Sequence, residues 1–127
     1  MLPLRHRRFW IALSAVLVAS VVYGSLKPHL DLPVPAGFDK VEHFSAYFAL
    51  AVWFTGIHDR AGYARVAAGL LALGASMEVL QGLMHMGRTA DFLDMAANTA
   101  GVVAGLALAL CCTGGWARRV EAWLGST

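Results

Sequence analysis

Apolar residues in this chain fall into four long runs. They cover roughly Phe9 to Leu26, Val41 to Ile57, Ala64 to Leu83 and Phe92 to Cys112. Each approaches the ~17–25 residues an α-helix needs to cross the hydrocarbon of a bilayer. The first run carries no charge at all. Between the first two, Pro28, Pro33, Pro35 and Gly37 forbid a continuous helix. His58 to Tyr63 is a short charged turn, and the break before the fourth run holds Gly87 and Arg88. There is no internal repeat and no low-complexity tail. The expected fold is all-α: one domain over residues 1–127, a polytopic membrane bundle of four transmembrane helices.

Composition agrees with that pattern. Hydrophobic residues make up 58% of the 127 and charged residues 14%, against about 25% charged in an ordinary soluble domain. A globule this small cannot hide so much apolar surface, so lipid must cover part of it. Net charge is only +2, and the basic residues sit at segment ends rather than in a patch, which argues against nucleic acid as a partner. Cys111 and Cys112 are adjacent. A bridge between neighbours is strained, and with no histidine nearby they read as ordinary buried or interfacial cysteines.

The basic residues also give a direction. Arg5, Arg7, Arg8, Arg60, Arg65, Arg118 and Arg119 fall on one side of a four-span layout, and Lys27, Lys40 and Arg88 on the other. The positive-inside rule then puts both termini in the cytoplasm. A rival is a cleaved signal peptide, since RHRR precedes the first run. That run is about 18 residues, longer than the usual apolar region of ~7–15, so an uncleaved first helix is expected. Cleavage would leave three spans.

Ionisable residues inside a membrane are costly and point to a site. Span two opens with Asp39, Lys40, Glu42 and His43, followed by Tyr47. Span three carries Glu78 and Gln81 near its end. Span four opens with Asp91, Asp94 and Asn98, with Arg88 just before it. In the four-span layout all three groups lie near the extracytoplasmic face. A rise of ~1.5 Å per residue puts His43 ~6 Å and Tyr47 ~12 Å below Asp39, and Asn98 ~10 Å below Asp91. Spacings of three and four residues put each group on one helix face, so the polar stripes should face one another. Gly101 and Gly105 continue span four with a small-xxx-small pattern suited to close helix packing.

The ordered set D39-K40-x-x-H43-F44-x-x-Y47, E78-x-x-Q81 and G87-R88-x-x-D91-x-x-D94-x-x-x-N98-x-x-G101-x-x-x-G105 resembles the VanZ-like family. It covers roughly Phe38 to Gly105. The resemblance implies a small bacterial protein of the cytoplasmic membrane, related to an accessory protein of glycopeptide-resistance clusters associated with teicoplanin resistance. It implies a setting in the cell envelope and brings no mechanism with it.

Several roles stay open at this stage. Asp39 with Glu42 has the spacing of a helix cap, and Asp91 or Thr89 could cap span four. Glu78 needs a partner inside an apolar span, with Arg88, Lys40 or His43 within reach. Glu78, His43 and Asp94 are the candidate acid–base groups. Asp39, Lys40, Tyr47, Gln81, Arg88, Asp91 and Asn98 are the candidate binding residues, and Lys40 and Arg88 suit a phosphate. The partner this suggests is a membrane lipid or a lipid-linked envelope precursor. The alternative is a non-catalytic protein whose polar layer only fixes the bundle or binds a partner. No cofactor is expected. A metal set of His43, Glu78, Asp91 and Asp94 is disfavoured, because no HExxH-type spacing or dense histidine cluster is present. A transporter is disfavoured, because no continuous polar path crosses the spans.

Overall fold

The computed structural model describes residues 1–26, 35, 37–84 and 91–125. Lys27, Pro28, Pro33, His85, Met86, Gly87, Arg88 and Thr89 lie outside them. All regular structure among the described residues is helical. Helix α1 is Arg7–Leu26 and α2 is Phe38–Ile57. A single 3-10 turn, Arg60–Gly62, leads into α3, Tyr63–Met84. Helix α4, Phe92–Leu108, widens into a π-helical turn over Ala109–Thr113, and a short α5 covers Trp116–Leu124. The apolar runs thus mark the long helices to within a few residues. Helix α5 has no counterpart in the four-run pattern.

Among the described residues, three helical stretches are long and apolar enough to cross a membrane: Arg7–Leu26, Arg60–Met84 and Phe92–Thr113. Helix α2 matches α1 in length, with 20 residues each. Its first two turns hold Asp39, Lys40, Glu42 and His43, which lowers its apolar character. Ile11, Val16, Val79, Leu83, Val103 and Leu110 are exposed on the outside of the bundle, as helices facing hydrocarbon require.

Local chemistry sets the helix starts. Gly37, in the left-handed region at φ 81°, precedes α2 and offers no side-chain cap. Asp39 is therefore not the cap that its spacing to Glu42 suggests; it is the second residue of the helix, in its first turn, and pairs with Lys40. Asp91 does cap α4, its Oδ1 accepting from Leu93 N–H at 2.8 Å. Asp59 caps the start of the turn before α3, its Oδ1 accepting from Gly62 N–H at 2.9 Å.

Helix α2 lies chiefly along α4. A Cβ on Gly101 would strike the backbone carbonyl of Phe44, and one on Gly105 would lie 2.6 Å from Ala51 Cβ and 3.0 Å from Phe48 O. The two glycines therefore serve close packing. Tyr47, Leu50, Ala51, Val66, Leu70 and Val102 form the core where α2, α3 and α4 meet.

Two end layers frame this core. In the first, Trp10, Trp53 and Trp116 pack as mutual neighbours with ring centroids 5.3–5.6 Å apart. Trp53 Nε1 donates to Ser14 Oγ at 2.8 Å, and Trp116 Nε1 to Val52 O at 3.1 Å. Glu121 of α5 accepts from the backbone N–H groups of Arg5 and His6 and from Trp10 Nε1 at 2.7–2.9 Å. Cys111 and Cys112 are unbridged and exposed in the π turn near this layer. They are not the buried cysteines that their apolar run suggests. The polar residues form the second layer, at the other end.

Candidate functional site

Lys40 organises the polar layer. Its Nζ donates to Asp39 Oδ2 at 2.7 Å, Asp91 Oδ2 at 2.6 Å and Asp94 Oδ1 at 2.5 Å. One cation thus joins the start of α2 to the start of α4. The hydrogen bond from Lys40 holds the Asp91 carboxyl below its ordinary value of 3.8, aided by the Leu93 N–H. A carboxylate that accepts from a cation is favoured in its charged form.

Asp94 is the third helical residue after the Asp91 cap, where an acid commonly reaches back to the cap's own N–H. Here it turns the other way, to Lys40 and to His43 Nε2 at 3.5 Å. Glu78 of α3 takes the vacated role, its Oε2 accepting from Asp91 N–H at 3.1 Å. A carboxylate of the preceding helix, 13 residues earlier in the chain, completes the helix start. That contact answers the need for a partner differently from the expected cations: neither Lys40 nor His43 pairs with Glu78, and Arg88 lies outside the described residues.

His43 Nδ1 lies 3.1 Å from Asn98 Oδ1. An amide oxygen only accepts, so in this geometry Nδ1 carries the proton and donates. His43, Glu78 and Asp94 are 7%, 8% and 6% exposed. Each offers a donor atom within 4.8 Å of the others. Glu78 Oε1, Tyr47 OH and Asn98 Nδ2 are buried without hydrogen-bond partners among the described residues. An unpaired buried polar group costs about 1–3 kcal/mol, more if charged, so three of them within one layer mark a place that is not built for stability alone.

Gln81 points elsewhere. Its Nε2 donates to the carbonyl of Ser25 at 2.8 Å. Helix α1 therefore does contribute to this layer, through backbone rather than side-chain chemistry. A cleft of about 100 Å³ lies between α1 and α2, lined by Val21, Gly24, Ser25, Glu42, His43, Ala46 and Tyr47. It brings the flank of the bundle to His43 and Tyr47.

Of the candidate residues, Asp39, Lys40, His43, Glu78, Asp91, Asp94 and Asn98 share one connected network, and Tyr47 packs beside it. Lys40, expected to suit a phosphate, has three carboxylates as its hydrogen-bond partners here, and its side chain stays 27% exposed. Gly74 was missed. A Cβ there would lie 3.2 Å from Asn98 Nδ2 and 3.5 Å from the Tyr47 ring, so its bareness leaves room for both. Its position one helical turn before Glu78 is the signal that could have found it.

Comparison with protein-family models, with curated proteins and with solved structures finds no match.

Proposed function

We propose that this is a VanZ-like protein of the bacterial cytoplasmic membrane, with four spans and both termini cytoplasmic. Its buried polar centre, near the extracytoplasmic face, receives an amphiphile of the cell envelope such as a lipid-linked precursor. The observation that carries this reading is the convergence of polar side chains from α2, α3 and α4, reached by the α1–α2 cleft. A molecule dissolved in the leaflet arrives from the flank of a bundle, which is where that cleft lies. Tyr47 OH and Glu78 Oε1, both without partners among the described residues, are the groups left free to contact a headgroup, with His43 beside them.

Four spans are supported by the end layers. The start of α1 and the end of α2 meet at Trp10, Trp53 and Ile57. The end of α1, the start of α2, the end of α3 and the start of α4 meet in the polar layer. A helix of α1's length that shares both layers with three apolar spans crosses the same slab. The excess of arginine at the tryptophan end supports cytoplasmic termini.

Glu78→Gln and Asp94→Asn test the function in a host whose glycopeptide susceptibility depends on the protein. We expect both to abolish the protein's effect at normal folded yield. An unchanged phenotype at normal expression would overturn the reading. The second reading, a network that only fixes the bundle, draws on Lys40 with its three carboxylates. It is chosen instead if the same variants lose thermal stability in detergent and folded protein keeps its activity.

A further inference from the structure

We propose that His43, Glu78 and Asp94 hold a divalent transition-metal ion, of the zinc or manganese class, beneath the Lys40 network. The donors come from three helices, α2, α3 and α4, and all are more than nine-tenths buried. Ligands bound to one ion at about 2.1 Å stand at most about 4.2 Å apart. The three donor atoms already lie within 4.8 Å of one another, so a small rotation of either carboxylate closes the set.

Two further observations point to a ligand. Glu78 Oε1 is buried and has no partner among the described residues. Its sister oxygen is occupied by Asp91 N–H, so the carboxylate is held fixed with one oxygen free. His43 shows the second. Nδ1 donates to Asn98 Oδ1, which leaves Nε2 facing Asp94 Oδ2 at 3.5 Å. A neutral ring with its proton on Nδ1 sets a lone pair against a carboxylate oxygen, two acceptors face to face. A cation between them removes the conflict. Histidines that ligate metals commonly donate their other ring N–H to an oxygen, which fixes the ring and the tautomer; Asn98 supplies that oxygen.

The donor chemistry selects the ion. One imidazole with two carboxylates is mixed nitrogen and oxygen ligation, suited to zinc, manganese or iron rather than to a thiolate-seeking ion. Three protein ligands leave a coordination position open, the arrangement of sites that act on a bound molecule. Such an ion would also supply positive charge toward a phosphate or carbonyl oxygen, below Lys40 and its three carboxylates. The inference rests on the donor atoms and not on the amphiphile reading, so metal analysis and the susceptibility assay fail separately.

The test uses the full chain, purified in detergent with neither chelator nor added metal. Elemental analysis should find about one equivalent of zinc or manganese per chain. After stripping, titration with Co²⁺ should give a saturable visible absorption at one equivalent. Glu78→Gln should weaken Co²⁺ binding roughly tenfold or more, while its amide oxygen still accepts from Asp91 N–H and keeps the fold. Wild-type protein that melts cooperatively, carries no stoichiometric metal and gives no Co²⁺ spectrum would overturn the proposal; a proton shared by His43 and Asp94 would then explain the geometry. Unchanged Co²⁺ affinity in the folded Glu78→Gln variant would overturn it equally.

Discussion

Lys40 holds three carboxylates, and removing it should show what that arrangement costs. In Lys40→Met, Asp39, Asp91 and Asp94 face one another without the cation. Asp39 and Asp91 are open enough to turn to solvent, but Asp94 is buried and loses the cation that balances it. We expect a clear fall in the melting temperature of the detergent-solubilised variant at neutral pH. Acid should affect the wild type in a related way. Asp91 is held below 3.8 by the Lys40 hydrogen bond, so its contribution is fully present above that value. It is lost as pH falls through the lower folded value. Thermal melts taken below about pH 4 should show this acid-induced loss in the wild type and a smaller one in Lys40→Met. An equal loss in both would mean that Lys40 does not set the ionisation of Asp91.

At the scale of elements, the α2–α4 crossing depends on the absence of two side chains. The Phe44 carbonyl that a Cβ on Gly101 would meet is backbone and cannot rotate aside. Gly101→Ala should therefore force the helices apart and destabilise by about 1–3 kcal/mol. It should also draw Asp94 away from Lys40 and His43, which sit on the same pair of helices. Gly69→Ala is the contrast: a Cβ there meets nothing within 4 Å, so helix propensity should leave stability unchanged or slightly raised. Comparison of folded yield and melting temperature for the two variants checks this. The crossing was legible in the sequence because Gly101 and Gly105 share a face. The stripe spacing of His43, Glu78 and Asp94 likewise announced their convergence. Helix spacing could not show which acid would cap which N–H. Asp39 reads as a cap by its spacing to Glu42, yet Gly37 starts the helix; Asp94 reads as the partner of the Asp91 N–H, yet Glu78 takes it. Those choices depend on how α3 is rotated against α4, which no local pattern contains. Helix α5 was hidden for a similar reason: Trp116 to Leu124 is too polar to stand out among apolar runs.

For the whole molecule, the two end layers differ in kind. One is aromatic and carries the arginines; the other is ionic. The proposed orientation puts the first in the cytoplasm, and the chain has its own reporters there. Cys111 and Cys112 are exposed near the tryptophan layer. A membrane-impermeant thiol reagent should label them in inverted membrane vesicles and leave them unlabelled in intact cells with a permeabilised outer envelope. The opposite pattern would reverse the orientation and move the polar centre to the cytoplasmic side.

Glu121 has a bearing on timing. Its carboxylate takes up the indole N–H of Trp10, 111 residues earlier in the chain. A ribosome adding roughly 5–20 residues per second needs on the order of 6–22 s to make the second partner after the first. Through that interval the first helix waits in the bilayer with its indole and the amides before it unclaimed. Assembly of the arginine-rich end is therefore a late event, and this end of the bundle closes only when α5 folds back onto Arg5, His6 and Trp10.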